Sequence, residues 1–341
     1  VSTSAPPAKL YPGDLAPWFR QRSNTPAGAY SFDMAAGRHV LLCFTGAAPT
    51  PRAAIEAHRH LFDSRSAICF TISADSAAQP IPGTIHIHDH DNAVSHLYGT
   101  VQQPLWFVLD PRLRILGIFP ATGEGACAAF ALLAHALTQP RDDAQIPVLT
   151  IPAVFEPAFC TRLIATYTAH GGQTSAVFTE ATPGASTTVT DAAAKRRRDL
   201  KLTDHALIDQ IQMRIFRRVV PEIAHAFQFH ATRLERLILA CYDAADAGHF
   251  APHRDNTVAA TAHRRFAVSI NLNEDFDGGG ISFPEYGPRA FKPPPGGALV
   301  FSCSMMHAVS PMRRGRRYAC LPFVYDDQAA SLRRTIAPNS L

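Results

Sequence analysis

His253-Arg254-Asp255, followed by His307 and then by Arg317, constrains this chain more than any other feature. In an extended segment His253 and Asp255 leave the same face, because one residue separates them. His307 lies 52 residues beyond Asp255, just after the apolar run Ala298 to Cys303, near a strand end that can face the same interior. Two imidazoles and one carboxylate can grip one face of an octahedral Fe(II), leaving the opposite face open for an oxidisable co-substrate and for O2. Arg317, ten residues after His307, is spaced to meet a carboxylate of that co-substrate as a bidentate pair.

The surroundings of these residues read as strands. Leu237 to Tyr242, Phe266 to Leu272, Ile281 to Phe283, Ala298 to Cys303 and Tyr318 to Tyr325 are short runs separated by Gly, Pro and Asp turns. Upstream come helices. Glu156 to His170 places Phe159, Leu163, Ile164 and Tyr167 on one face, with Pro157 in the first turn and Gly171-Gly172 at the end. Ile208, Ile211, Ile215 and Val219 mark another, and Pro221 opens the next segment, to Phe229. Helices followed by closely spaced strands predict support helices packed on a β-sandwich or jelly roll. The Gly/Ser/Thr-rich stretch from Gly171 to Ala194 is expected to be a lid or a loop.

The first part of the chain alternates differently. Val40 to Phe44 and Ala67 to Ile72 are continuous apolar runs, as in strands buried on both faces. Helical spacing marks Arg52 to Phe62, Ala93 to Tyr98 and Ala126 to Leu137. A hairpin around Asp110-Pro111 joins Leu105 to Leu109 with Leu113 to Phe119. The order predicts a small α/β layer structure. The break near Gln139 to Pro147, in TQPRDDAQIP, separates two domains, 1–140 and 147–330, in keeping with the length of 341 residues.

Composition narrows the class. The formal charge of +4 is matched by Lys195 to Arg198 alone, so no basic face is expected for nucleic acid and that run reads as a solvated loop or helix start. The polar opening VSTSAPPAKL carries no secretory pattern, and Ala126 to Leu137 is too short to span a bilayer. Seven cysteines without a CxxC pair, most of them in apolar runs, suggest a reducing cytoplasmic setting.

Over roughly Val148 to Asp327, through YDAADAGHFAPHRDN, RRFAVSINLN, DGGGISFPEYG and HAVSPMRRGRRYACLPF, the chain resembles the prolyl 4-hydroxylase-type branch of the 2-oxoglutarate/Fe(II) dioxygenases. The resemblance implies a double-stranded β-helix core with supporting helices. It assigns His253, Asp255 and His307 to Fe(II), Arg317 to the C5 carboxylate of 2-oxoglutarate, and Tyr242 to a hydrogen bond with that co-substrate. Asn271 would line the same pocket. With O2, such enzymes hydroxylate an unactivated C–H bond of a peptidyl or small-molecule substrate and release succinate and CO2, with ascorbate as a stimulant. Zn, Co or Ni can take the same ligands on isolation. Arg254, Arg264, Arg265, Arg313 and Arg314 suggest a cationic rim and an anionic or peptidic partner.

The first 135 residues, through ISADS, DHDNAVSHLYG and FVLDPRLRILG, resemble thioredoxin-like redoxins, peroxiredoxins in particular. The peroxidatic loop departs from that family: in TGAAPTPRAA, Thr50 is followed at the cysteine position by Ala53. Without a thiolate there is no nucleophile for peroxide. A non-catalytic module is therefore expected, one that could bind substrate, cover the active-site mouth or pair two copies as a homodimer. The rival readings are a thiol peroxidase with an appended domain and a non-catalytic 2-oxoglutarate or oxygen sensor. His86, His88 and His90 are expected to face solvent, and His225, His230, His249 and His263 to be structural or superficial.

Overall fold

A computed structural model of the protein describes residues 9–46, 51–75, 78–140, 145–182 and 185–336. The described residues fall into two compact units, one within Val1–Ala144 with Pro284–Gly287, the other within Gln145–Phe283 with Pro288–Leu341.

The first unit is built on a five-stranded sheet ordered Ile85–His88, Ala67–Ser73, His39–Gly46, Leu105–Leu109, Ile115–Pro120. The first three strands run parallel and the last two form an antiparallel hairpin. Leu41 and Cys43 pack with Ala126, Phe130 and Leu133 of the helix Gly123–Thr138. Phe44, on the other face, meets Tyr98 and Phe107. Burial on both faces is why the strand reads as an unbroken apolar run. Asp110 closes the hairpin by accepting from the backbone N–H groups of Arg112 and Arg114, both at 2.8 Å. The expected helix from Arg52 to Phe62 is Arg52–Ala57 followed by a 3-10 turn, Arg59–Leu61. Thr50 lies outside the described residues.

In the second unit a nine-stranded sheet carries helices on one side. Phe159, Leu163 and Tyr167 of Pro157–His170 and Leu207, Ile211 and Ile215 of His205–Arg218 pack against Leu239, Cys241, Ile270, Val300 and Cys320 of the sheet. Asp204 caps the second helix, its carboxylate accepting from the N–H groups of Ala206 and Leu207. The two-residue period then sends the alternate side chains the other way: Tyr242 follows Cys241, and Arg317 is two residues before Ala319 on the same strand face. A second, five-stranded sheet contributes His249–His253 and His307–Val309, paired antiparallel.

Three expectations need correction. The stretch Gly171 to Ala194 contains strands, among them Val177–Thr182 paired with Ala185–Val189, because its Thr and Val residues favour a pleated backbone; residues 183–184 lie outside the described part. The run Lys195 to Arg198 is no solvated loop: it falls on the strands Lys195–Arg196 and Arg198–Lys201, and alternation buries Lys195 and Arg197 while Arg196 and Arg198 face out. The expected strand Tyr318 to Tyr325 is two, Arg316–Cys320 and Phe323–Tyr325, since Pro322 has no N–H to give the ladder. No helix among the described residues is long and apolar enough to cross a membrane.

Candidate metal centre and co-substrate pocket

Strand pairing brings the three candidate ligands together. His253 is the register partner of His307, and Asp255 follows in the turn, its backbone N–H donating to the Cys303 carbonyl at 3.0 Å. One donor atom from each of His253, Asp255 and His307 lies within 4.8 Å of the others. His253 Nε2 is 3.7 Å from Asp255 Oδ1, and His307 Nε2 is 3.3 Å from Asp255 Oδ2.

The tautomers follow from the outer partners. His253 Nδ1 lies 2.8 Å from the Ala251 carbonyl and His307 Nδ1 3.1 Å from that of Met305. A carbonyl only accepts, so each Nδ1 carries a proton, and Nε2 is the ring nitrogen placed to bind a metal beside the carboxylate. Burial works against the Asp255 carboxylate, but His307 and His253 outweigh it and hold its pKa well below the usual range. Burial, then His253, push His307 down to about 4. One carboxylate and two imidazole Nε2 atoms form the donor set that a divalent ion of this class requires.

Arg317 faces the same pocket and is 2% exposed. Its Nε donates to Asn271 Oδ1 and its Nη2 to Ser269 Oγ, both at 2.9 Å. Nη1 has no hydrogen-bond acceptor among the described residues. Burial lowers the Arg317 pKa, and the nearby Arg197 charge lowers it further, so an anion there would be welcome. Gly279 allows the close approach: at φ +65°, a Cβ there would lie 2.7 Å from Met312 Sδ and 3.1 Å from Arg317 Cδ.

Residues 237–325 match the family model described as the 2OG-Fe(II) oxygenase superfamily. This stretch is 2OG-Fe(II) oxygenase sequence. That superfamily works with Fe(II), 2-oxoglutarate and O2, and the three ligand types are intact here. Two PKHD-type hydroxylases, from Synechococcus sp. strains JA-2-3B'a(2-13) and JA-3-3Ab, are each 28% identical over 98 residues, 27% of this chain. The chain spans 43% of the length of these curated relatives. Among solved structures, a Trichoplax adhaerens prolyl hydroxylase in complex with a hypoxia inducible factor peptide covers 55% of this chain and 87% of its own, with 16% identity and a TM-score of 0.42. AhpC of Mycobacterium tuberculosis covers 38% of this chain and 95% of its own, with 15% identity and a TM-score of 0.33.

Within the oxygenase segment, Tyr242 lines the pocket, is the register partner of Arg317, and its ring centre lies 5.4 Å from the Arg317 guanidinium carbon. Its hydroxyl accepts from Arg197 Nη1 at 3.2 Å. Asn271 is fully buried behind Arg317, accepting from it and donating Nδ2 to the Pro293 carbonyl. It orients the arginine and does not itself line the pocket.

Several residues that the sequence did not single out also stand in the pocket. Phe250 stacks on the His253 ring, with centroids 3.4 Å apart, and behind the pocket Lys195 Nζ lies 4.7 Å from the centre of the Phe250 ring. Arg197 and Arg236 line the wall and share the carboxylate of Asp199. Burial opposes that carboxylate, yet the two guanidiniums hold it down to about 2. The alternation within Lys195 to Arg198 was the available signal for Arg197; Arg236 had none.

Of the five arginines of the expected cationic rim, Arg254 and Arg264 are buried, Arg265 is half-buried, and Arg313 and Arg314 are exposed. Arg264 is buried, its Nε 2.6 Å from Glu235 Oε1, and Arg254 is buried with its Nη1 on the Ser304 carbonyl. Arg313 is exposed and paired with Asp277 at 2.7 Å. Arg254 and Arg264 turned to internal acceptors. Arg316 pairs with Asp243 on the surface.

In the first unit, His86 departs from expectation. It is 1% exposed, its Nδ1 lies 2.9 Å from Thr71 Oγ1, and burial followed by His88 and His90 pushes it down to about 4. His90 does face solvent. Ala53 sits exposed on Arg52–Ala57, and Cys43 is buried, which raises its thiol pKa well above the usual value. His263 is buried against Glu235 at 2.8 Å, a structural pair.

Proposed function

We propose that the protein is an Fe(II)- and 2-oxoglutarate-dependent hydroxylase acting on an unactivated C–H bond of a peptidyl or small-molecule substrate. The convergence of His253 Nε2, His307 Nε2 and the Asp255 carboxylate beside Arg317 carries this reading. Those three residues would hold Fe(II). Iron bound there supplies, with 2-oxoglutarate and O2, the oxidising power that yields succinate, CO2 and a hydroxylated product.

The remaining work belongs to the chain. Arg317, braced by Asn271 and Ser269, receives the C5 carboxylate of 2-oxoglutarate through Nη1, and Tyr242 borders the same subsite. Phe250 and Phe301 pack on the ligand imidazoles and keep bulk water from them. The two sheets of the second unit are read as a double-stranded β-helix, with 147–330 as the catalytic domain. The first unit, 1–140, is read as a thioredoxin-like module without peroxidase chemistry, because alanine stands at position 53 and the neighbouring Cys43 is buried.

The test is succinate release from 2-oxoglutarate by Fe(II)-loaded protein in air, with His307→Ala as control. Binding of 2-oxoglutarate to the Mn(II)-loaded protein is measured alongside. A folded, metal-loaded sample that neither binds nor turns over the keto acid would end this reading. Thiol-dependent consumption of hydrogen peroxide would instead favour the peroxidase alternative.

A further inference from the structure

The pocket wall carries more positive charge than the proposed chemistry uses. Arg197, Arg236 and Arg317 all line it. In the hydroxylase reading Arg317 is matched by the far carboxylate of 2-oxoglutarate. The charge of the divalent ion is matched by Asp255 and the keto-acid carboxylate. Arg197 and Arg236 remain, with the single carboxylate of Asp199 between them. One guanidinium charge is left over.

The hydrogen bonds say which one. Arg197 is committed: Nε and Nη2 donate to Asp199 at 2.7 and 2.8 Å, Nη1 to the Tyr242 hydroxyl at 3.2 Å, and Nη2 also to Ser175 Oγ at 3.3 Å. Arg236 makes one long bond, from Nη2 to Asp199 Oδ2 at 3.2 Å. Its Nε and Nη1 find no acceptor among the described residues, and its side chain is 27% exposed, so it is reachable. Burial and the Arg197 charge push Arg236 down to about 10: it stays charged at neutral pH without a matched anion of its own.

The backbone supports a fixed position. Arg236 has φ +61°, a left-handed conformation that disfavours any non-glycine residue. It lies in the break between the strands Arg233–Glu235 and Ile238–Asp243, which run the same way. Beside it the wall is apolar: Leu321, Pro322 and Phe323 line the pocket, with the Phe323 ring centre 5.8 Å from the guanidinium carbon. A cation next to an apolar wall suits a carbon skeleton that ends in an anion.

We propose that Arg236 anchors a carboxylate of the molecule to be hydroxylated, with Leu321, Pro322 and Phe323 carrying the adjoining carbons. The inference rests on the hydroxylase reading. The carboxylate could belong to a free α-carboxyl group or to an acidic side chain of a peptide, and the test separates the two.

The full chain is loaded with Mn(II) and saturated with N-oxalylglycine, an inert isostere of 2-oxoglutarate. Binding is then measured by calorimetry for three probe sets: N-acetyl amino acids, the α-amides of N-acetyl-aspartate and N-acetyl-glutamate, and the corresponding neutral amides. In wild-type protein an acidic probe should bind roughly tenfold or more tightly than its neutral amide, the worth of one charge-assisted bond. Arg236→Gln should abolish that preference, and Arg236→Lys should keep part of it, while both bind N-oxalylglycine within about twofold of wild type. Whichever acidic set shows the preference identifies the source of the carboxylate.

Equal binding of acid and amide by the wild type overturns the proposal. So does a preference that survives in Arg236→Gln. Loss of N-oxalylglycine affinity in both variants would assign Arg236 to the co-substrate subsite and overturn it as well. Failure of the wild type to bind N-oxalylglycine is a separate result: it removes the hydroxylase reading, and the anchor with it.

Discussion

Arg317 Nε donates to Asn271 Oδ1 at 2.9 Å, and the Asn271 amide is itself fixed on the Pro293 carbonyl at 2.7 Å. The guanidinium is thereby aimed by a residue that does not line the pocket. Asn271→Leu should raise the KM for 2-oxoglutarate by roughly tenfold with a smaller change in kcat, since a misaligned fork loses about 1–2 kcal/mol. Steady-state kinetics at saturating O2 checks this; a fall in kcat alone would contradict it.

Metal binding should stabilise the fold. With Mn(II) at a hundredfold over its Kd, the second unit should gain about 2.7 kcal/mol, seen as a rise in Tm. His253→Ala and His307→Ala should show little or no rise, because each removes one of the three donors gathered within 4.8 Å. Calorimetric scans with and without Mn(II) decide the matter.

Asp199 makes a pH prediction away from the metal ligands. Ser175 and the guanidiniums of Arg197 and Arg236 face it, and its folded pKa is about 2 against an ordinary 3.8. A depressed carboxylate contributes stability above its unfolded pKa, and that contribution fades as pH falls towards the folded value. The contribution, about 2 kcal/mol at neutral pH, should therefore disappear between about pH 4 and pH 2. Asp199→Asn should flatten that acid limb in urea titrations; an unchanged limb would refute the assignment.

Cysteine labelling tests the first unit. Cys127 is exposed, whereas Cys43 and Cys69 are buried with thiol pKa values raised by that burial. Native protein treated with iodoacetamide at neutral pH should carry a single modification, at Cys127, by mass spectrometry. Rapid modification of Cys43 would reopen the peroxidase alternative.

The two units and their main elements could be read from the chain because burial writes itself into periodicity. The unbroken apolar run at Val40 to Phe44 and the helical spacing of Leu163, Ile211 and Ile215 state which faces are covered. His253, Asp255, His307 and Arg317 were legible for a related reason: residue types and spacing on strands limit where their side chains can meet. Tertiary structure alone decided the charges. Whether an arginine faces solvent or an internal carboxylate depends on what a distant strand brings opposite it. Arg264 found Glu235 and is buried with it, while Arg313 pairs with Asp277 at the surface. The Lys195 to Arg198 run turned half its charge inward because two strands paired across it. Arg236 became a pocket residue only where a positive φ interrupts the ladder between two strands that run the same way. Local pattern encodes burial; the pairing of charges is settled by contacts between segments far apart in sequence.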